Sequence, residues 1–293
     1  MTVLIVSDIP DDSRKKIVDC FPSHWQVLFA SPGQEKPFLP FTEVIIPEHV
    51  PVDGEYLKCC PKLKMIQTGA GYDNVDLPAC RERGIVVCSA AGINAAAVAE
   101  HTMAMILSWY KNIAPPSRHE GSELGGLSVG VVGLGRVGQK VAKICEALDM
   151  KVLRYSHHPE QSDVDWQTLL RKSDIITLHV PLTSETRHMI GKPELELMKE
   201  TAVLVNTSRG AVVNEPELIA ALQCGRIAGA CLDVFEQEPL PQDSPLRDLK
   251  NVLLTHHTAG YPDGPKFHRK RYLFFAENIQ KLAEGLEPAN RMI

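Results

Sequence analysis

Short apolar segments alternate with longer helix-like segments along almost the whole chain, and this alternation constrains the fold more than any other feature. Such a pattern is typical of βαβ units around parallel sheets, so the predicted fold class is α/β. The runs are short and apolar, as expected for strands covered by helices on both faces. Strands are predicted at 3–6, 26–29, 43–46, 63–67, 85–88, 129–132, 152–155, 175–178, 203–206, 230–233 and 252–255.

Two domains fit both the length and the order of these segments. At ~150 residues per domain, a chain of 293 residues accommodates about two. Six of the strands follow a segment rich in Pro, Gly and polar residues at 113–127, which is predicted to be a linker. Residues 94–261 are therefore predicted to form a doubly wound Rossmann domain. Residues 1–93 and 262–293 are predicted to form a second, flavodoxin-like domain that includes the last helix, at about 265–283.

The charge balance argues against a nucleic-acid partner. Lys and Arg total 31 against 36 Asp and Glu, which gives a net charge of −5. A mildly acidic chain has no cationic surplus with which to neutralise a phosphate backbone. One dense basic cluster, Lys266, Arg269, Lys270 and Arg271, is predicted to be a solvated helix face.

Membrane, disulfide and metal signals are all lacking in the sequence. No apolar run approaches the ~18 residues of a membrane helix, and the start MTVLIVSDIP does not resemble a signal peptide. The eight cysteines form no C-x-x-C pair and are expected to be small core residues in a reducing compartment. The eleven histidines show no ligand spacing, so no metal site is predicted. These features predict a cytoplasmic protein without a membrane partner.

A glycine-rich turn marks the predicted cofactor site. Gly133, Gly135 and Gly138 form G-x-G-x-x-G directly after a predicted strand and at the start of a predicted helix. The first glycine permits the tight turn, the second lets backbone approach a pyrophosphate, and the third allows the helix to pack closely. In this context the motif predicts a dinucleotide site, although a merely tight turn would use the same glycines.

The end of the following strand bears on the choice between NAD(H) and NADP(H). Ser156, 18 residues after Gly138, stands where an acid would hold the ribose hydroxyls. A carboxylate there would repel a 2′-phosphate, so its absence slightly favours NADP(H), with Arg154, His157 or His158 as sources of positive charge. Alternatively, these are exposed residues at a strand end with no role in selection.

Several motifs together resemble the D-2-hydroxyacid dehydrogenase family. They are the glycine turn, GAGYDNVDL at 69–77, NAAAVAEHT at 94–102, VNTSRGAVVNEPEL, LDVFEQEPLP and VLLTHHTAG. The resemblance runs from about residue 60 to 290 in the family's order. It implies two doubly wound domains with the cofactor in the cleft between them.

The resemblance also implies a catalytic set of Arg209, Glu238 and His257. Chemistry supports each role: the planar fork of an arginine suits a substrate carboxylate, and a histidine can give or take a proton near neutral pH. A glutamate that accepts a hydrogen bond from the ring would orient the histidine. Taken singly, each residue has an ordinary structural explanation; together, in these motifs, they predict an active site.

Further contacts are implied for substrate and cofactor. Gly69, Ala70 and Gly71 would offer backbone N–H groups to the substrate carboxylate, although a small-residue turn explains them almost as well. Asp233 would contact the nicotinamide amide. The other predicted cofactor contacts are Arg136, Val137, His157, His179, Pro181 and Thr207.

Two departures from the family pattern leave questions open. His256 replaces a usual proline before His257, which leaves the identity of the base ambiguous between the two. The 113–127 linker is shorter than usual, so the implied homodimer is less secure.

The leading hypothesis is a nicotinamide-dependent reductase of small 2-keto acids such as glyoxylate, hydroxypyruvate or pyruvate. One rival is a dinucleotide-sensing protein like the corepressors that share this fold, and another is a phosphite dehydrogenase. Glu238 argues against the branch that acts on formate, because that branch uses a different partner for its histidine.

Overall fold

A computed structural model describes residues 1–48, 50–113 and 121–293. The described chain divides into two compact units, which we call unit 1 (Met1–Asn94 with Tyr261–Ile293) and unit 2 (Ala95–Gly260). The predicted domain boundaries differ by one residue from the unit boundaries at both places where the chain passes from one unit to the other. Part of the predicted linker, 114–120, lies outside the described residues.

The secondary structure alternates between strands and helices, as the sequence predicts. The first elements are β1 (Thr2–Val6), α1 (Asp11–Val18), β2 (Gln26–Ala30), β3 (Val44–Ile46), α2 (Gly54–Lys58), β4 (Met65–Thr68), α3 (Leu77–Glu82), β5 (Val86–Ser89) and α4 (Ala95–Tyr110). They are followed by β6 (Ser128–Val132), α5 (Arg136–Ala147), β7 (Lys151–Tyr155), α6 (Trp166–Lys172), β8 (Ile175–Leu178), α7 (Lys192–Leu197), β9 (Val203–Asn206), α8 (Glu215–Gln223), β10 (Gly229–Leu232), β11 (Val252–Leu254) and α9 (Arg269–Ala283).

Unit 1 contains a parallel sheet of order β2-β1-β3-β4-β5. This is the flavodoxin-like order, which confirms the predicted fold class. The two faces of the sheet enter different apolar clusters because successive side chains of a strand point in opposite directions. Val3 and Ile5 of β1 pack in the cluster that includes Phe275 and Ile279 of α9, whereas Leu4 and Val6 pack on the other face.

Unit 2 contains a parallel sheet of order β11-β10-β9-β8-β6-β7. The chain starts at β6, the second strand from one edge, runs to β7 at that edge, and returns to build β8 to β11 on the other side. The order therefore reverses between β6 and β8, and in such sheets ligands bind outside the carboxyl ends of the strands near this switch point. The doubly wound Rossmann prediction for this part of the chain is confirmed.

The last helix differs from its prediction in two ways. It begins at Arg269 and not at 265, because the preceding backbone turns sharply, with φ of +133° at Gly264 and +51° at Lys266. The predicted solvated face is wrong for one member of the basic cluster: Arg271 is buried, since it lies on the same side of α9 as Tyr272 and Phe275, which pack in the core.

Two further features of the structure are the state of the cysteines and the length of the helices. All eight cysteines are free thiols, and six of them are buried. No helix in the described parts of the chain is long and apolar enough to cross a bilayer.

Candidate active site

The glycine turn lies between β6 and α5 in unit 2. Gly133 has a φ of +91°, and its N–H donates to the carbonyl oxygen of Tyr155 at 2.8 Å. A Cβ at Gly133 would lie 2.6 Å from the carbonyl oxygen of His179, and one at Gly138 would lie 1.9 Å from that of Gly133. Both positions exclude any side chain, so the turn brings the start of α5 close to the ends of β6 and β8.

Gly135 differs from its two neighbours in the motif. A Cβ there would meet nothing within 4 Å, and no side chain caps the N-terminus of α5 at this residue. The first N–H groups of a helix need acceptors and carry partial positive charge, which suits an anion. The open side of Gly135, next to the exposed Arg136 and the half-buried Val137, therefore fits a dinucleotide pyrophosphate.

The end of β7 is built around Ser156. Its backbone N–H donates to Ser162 Oγ at 3.0 Å, and its own hydroxyl accepts from the His158 N–H at 3.2 Å. The exposed rings of His157 and His158 lie 3.8 Å apart. The predicted ribose-side residues thus come together at one strand end.

Arg154 contributes less positive charge to this strand end than the sequence suggests. Its guanidinium forms ion pairs with Glu146 and with Asp163, the latter at 3.1 Å. Two carboxylates therefore offset its charge, which leaves His157 and His158 as the candidates for contacting a 2′-phosphate.

His179 and Pro181 follow β8, across the switch point from Gly133. The His179 Nε2 lies 2.9 Å from Thr177 Oγ1, and desolvation lowers the pKa of the ring to about 3. The imidazole is therefore neutral near pH 7. The carbonyl of Pro181 accepts a hydrogen bond from the Thr186 hydroxyl at 2.6 Å, which constrains this loop.

Arg209 follows β9, in a loop stabilised by its neighbours. The Asn206 amide donates to the Arg209 carbonyl at 2.9 Å, and Arg209 Nη1 donates to the Ser208 carbonyl at 2.8 Å. A Cβ at Gly210 would lie 1.9 Å from the Phe235 carbonyl. Only glycine allows the Arg209 loop to approach the loop after β10, which explains the glycine of the S-R-G sequence.

Thr207, predicted to contact the cofactor, already has a protein partner. Its buried hydroxyl lies 2.9 Å from that of Thr102 in α4, which in turn donates to the Val98 carbonyl. The side chain therefore also joins the β9 loop to α4.

His257 and Glu238 form the hydrogen bond that the sequence analysis predicts. His257 Nδ1 donates to Glu238 Oε2 at 2.6 Å, and Glu238 Oε1 accepts from the Phe235 N–H at 3.1 Å. The two side chains are 25% and 29% exposed, so they are shielded yet accessible to a small molecule. The structure pairs His257, and not the exposed His256, with the carboxylate.

The His257 backbone is unusual and requires support. Its φ is +52°, in the left-handed region that residues other than glycine rarely adopt. Its N–H donates to the Asp233 carbonyl at 2.6 Å. A conformation of this kind persists where the surrounding contacts hold it in place.

Asp233 supplies most of that support. Its buried carboxylate accepts from the Thr255 hydroxyl at 2.6 Å, the Thr258 N–H at 2.9 Å and the Ala259 N–H at 3.1 Å. His101 of α4 completes the cluster, with Nε2 at 3.0 Å from Thr255 Oγ1 and 3.6 Å from Asp233 Oδ1. Asp233 therefore fixes the segment on both sides of His257.

The sequence analysis missed the roles of His101 and Thr255. Both lie inside motifs that it quoted, NAAAVAEHT and VLLTHHTAG. The available signal was Asp233 itself, because a carboxylate at the end of an apolar strand must find donors when it is buried.

In unit 1, Gly69, Ala70 and Gly71 follow β4. The carbonyls of Gly69 and Ala70 accept from the Ala90 N–H at 2.7 Å and from the Ser89 hydroxyl at 3.0 Å. Among the described residues, no acceptor pairs with the N–H groups of the three. Those donors lie at the carboxyl edge of the sheet, where a parallel sheet binds ligands.

Comparisons with known proteins agree with this architecture. The family model for the NAD binding domain of D-isomer specific 2-hydroxyacid dehydrogenases matches residues 95–259, more than half of the chain. A glyoxylate reductase from Thermofilum pendens is 42% identical over 233 residues, which cover 71% of this chain and 69% of that protein. A D-3-phosphoglycerate dehydrogenase from Archaeoglobus fulgidus is 39% identical over 270 residues, 85% of this chain but only 51% of that protein's length.

A solved structure extends the similarity to both units. The structure of a D-lactate dehydrogenase from Aquifex aeolicus, complexed with NAD and lactic acid, is 31% identical with a TM-score of 0.81 over 97% of this chain and 96% of that one. The matched NAD-binding domain coincides with unit 2, and the relatives share more than a third of their aligned residues with this sequence. The chain belongs to the D-2-hydroxyacid dehydrogenase family.

Proposed function

We propose that this chain reduces small 2-keto acids of the glyoxylate, hydroxypyruvate or pyruvate type to D-2-hydroxy acids, with Arg209, Glu238 and His257 as its catalytic set. Family membership makes it a nicotinamide-dependent 2-hydroxyacid oxidoreductase. The observation that carries the residue assignment is the 2.6 Å hydrogen bond between His257 and Glu238 at the carboxyl edge of the unit 2 sheet.

His257 is proposed to move the proton. Because Nδ1–H donates to Glu238, Nε2 is the ring atom that can give a proton to the substrate carbonyl oxygen in reduction and take it back in oxidation. The carboxylate of Glu238 would stabilise the ring when it is doubly protonated. The bound nicotinamide supplies or accepts the hydride.

Arg209 is proposed to bind the substrate carboxylate and to orient the carbonyl. A guanidinium matches a carboxylate with two parallel hydrogen bonds, which a point charge cannot do. The backbone N–H groups of Gly69, Ala70 and Gly71 are proposed as further donors to the substrate. In support, the neighbouring carbonyls of Gly69 and Ala70 are already engaged by Ser89 and Ala90.

For the cofactor, we propose that the Gly133–Gly135–Gly138 turn and the start of α5 bind the pyrophosphate. Arg136, Val137, Thr207, His179 and Pro181 are proposed as further contacts, and Asp233 as the contact to the nicotinamide amide in addition to its support of the His257 loop. At Ser156 and His157 we propose that NADPH is accepted at least as well as NADH, because no carboxylate at position 156 repels a 2′-phosphate.

Two further proposals concern the setting of the protein. A homodimer is expected from the family resemblance, and size-exclusion chromatography with light scattering tests it. A cytoplasmic location is supported by eight free thiols, which persist in a reducing compartment.

A dinucleotide-sensing protein of the same fold is the main alternative, and kinetics distinguish the two. The purified chain is assayed with glyoxylate, hydroxypyruvate and pyruvate in the presence of NADH or NADPH, and with phosphite in the presence of NAD⁺ or NADP⁺. Turnover of at least one 2-keto acid supports the proposal. Tight cofactor binding without turnover of any of the acids contradicts it. Oxidation of phosphite alone favours a phosphite dehydrogenase.

A further inference from the structure

The start of α9 places a buried ion pair against the proposed substrate-binding turn of unit 1. Arg271 Nη2 donates to Glu48 Oε1 at 2.9 Å, and Arg271 Nη1 lies 3.4 Å from Glu48 Oε2. The two side chains are only 7% and 5% exposed. A Cβ at Gly69 would lie 3.3 Å from Arg271 Nη1 and 3.8 Å from Glu48 Oε2, so both charged groups lie beside the first residue of that turn.

A contribution to folding stability is a weak explanation for the presence of the buried Glu48–Arg271 ion pair. Replacing a buried ion pair with apolar side chains of similar size is often neutral or stabilising. Arg271 Nε is buried without a hydrogen-bond partner among the described residues. Glu48 also has a φ of +32°, a strained value of the kind that clusters at functional sites.

The surroundings keep Arg271 on Glu48. Its guanidinium carbon lies 4.9 Å from the ring centre of Tyr261, 5.2 Å from that of Tyr272 and 5.6 Å from that of Phe275. These rings enclose the cation, and cation–π attraction stabilises it there. The positive charge next to Gly69 is therefore balanced by Glu48 and is not available to a second anionic group.

Glu48 is also joined to the rest of the substrate turn. The Asn74 amide, at the end of GAGYDN, donates to the Glu48 carbonyl at 3.2 Å and to the Val50 carbonyl at 2.7 Å. The loops after β3 and β4 and the start of α9 thus meet at one edge of the unit 1 sheet, where its ligand is expected.

We propose that the Glu48–Arg271 pair determines substrate specificity by charge: it limits the enzyme to 2-keto acids with an uncharged C3 substituent. This inference rests on the proposed function, because it takes Gly69, Ala70 and Gly71 as donors to the substrate. A second carboxylate or a phosphate on the substrate would be desolvated beside a pair whose net charge is zero, because Glu48 already balances Arg271.

The test compares two substrates that differ in this charge. Hydroxypyruvate carries a hydroxyl on C3, and oxaloacetate carries a carboxylate there. In the parent enzyme, kcat/KM for oxaloacetate should be at least tenfold lower than for hydroxypyruvate. Glu48→Gln keeps the shape of the side chain and leaves the charge of Arg271 unbalanced. The ratio of kcat/KM for oxaloacetate to kcat/KM for hydroxypyruvate, called the substrate ratio below, should therefore rise at least tenfold.

A double variant separates charge from shape. Glu48→Gln with Arg271→Met removes both charges, so its substrate ratio should stay within about threefold of the parent's. Thermal melting of each variant checks folding. If Glu48→Gln alone does not fold, the parent's own ratio decides, since a parent that reduces both acids equally well overturns the inference.

The outcomes also separate this inference from the proposed function. A parent active on hydroxypyruvate whose ratio is unmoved by Glu48→Gln overturns only the charge selection. A rise of the same size in the double variant does so as well, because Arg271 would then not be the source. A parent inactive on every 2-keto acid overturns the proposed function and this inference with it.

Discussion

The two ends of the unit 2 sheet prepare their side chains very differently. At the β9–β11 end, Glu238 orients His257 and the buried Asp233 supports the loop that carries it. At the β7 end, Ser156, His157 and His158 lie at a partly solvated surface, where, among the described residues, Ser156 makes hydrogen bonds only to residues nearby in the sequence. The difference teaches that the proposed geometry for proton transfer is supported by buried contacts, whereas the proposed choice of cofactor would depend on a few replaceable surface contacts.

Removing the proposed acid should give the largest effect and tests the preorganised end directly. His257→Ala should lower kcat by about 100-fold or more, the usual scale for a general acid–base group. Cofactor affinity, measured by fluorescence titration with NADPH, should change little because the glycine turn is untouched. His256→Ala is the matched control and should retain near-parental kcat; the reverse pattern would assign the proton to the neighbouring histidine.

Arg209→Lys should give the second-largest effect on catalysis. Lysine keeps the positive charge but loses the planar fork, so we expect KM for the 2-keto acid to rise by about tenfold, with a smaller fall in kcat from misorientation. Arg171→Lys makes the same change at an exposed site on α6 and serves as the control. Steady-state kinetics that are identical in both variants would remove Arg209 from the substrate site.

Asp233→Asn tests the hydrogen bonds by which Asp233 supports the loop that carries His257. An amide offers one acceptor oxygen and places N–H donors against the N–H of Thr258 or Ala259, so at least one buried donor loses its partner. The free energy of unfolding should fall by about 2 kcal/mol, which corresponds to several degrees in the melting temperature.

Activity should report on the same substitution. A displaced His257 loop should lower kcat by about tenfold, because small errors in placing a reacting group are costly. Asp243→Asn, at an exposed position, should change neither the melting temperature nor kcat. Full activity in Asp233→Asn would show that the loop holds its shape without the carboxylate.

The sequence predicted the two sheets and the residues at their edges because both depend on short-range patterns. Apolar runs between glycine and proline signals located the strands to within about two residues, and Gly133, Gly135 and Gly138 marked the turn through steric limits that only glycine satisfies. The pairing of Glu238 with His257 was accessible through the family motifs.

Contacts between distant segments could not be predicted in the same way. Arg271 stands in a basic cluster that indicates a solvated face, and its burial depends on Glu48, 223 positions away in the sequence. Arg154 appeared available for a phosphate until Glu146 and Asp163 were found beside it. Charge partners of this kind follow from the packing of helices on the sheet, which a local pattern does not contain.

The smallest expected effect concerns the solvated end of the comparison. In the parent, kcat/KM with NADPH should be at least equal to that with NADH, because Ser156 offers a hydroxyl where a carboxylate would exclude the 2′-phosphate. Ser156→Asp adds a negative charge at this point, so the preference should move several-fold toward NADH through repulsion of the phosphate. Ser122→Asp adds the same charge at another exposed serine of unit 2 and should leave the preference unchanged.

Since Arg154 is already balanced by two carboxylates, little positive charge opposes the new aspartate, and the shift should grow at low ionic strength, where screening is weaker. A parent that strongly prefers NADH, with a preference unmoved by Ser156→Asp, would show that this strand end does not contact the 2′ position and that the selection lies elsewhere in unit 2.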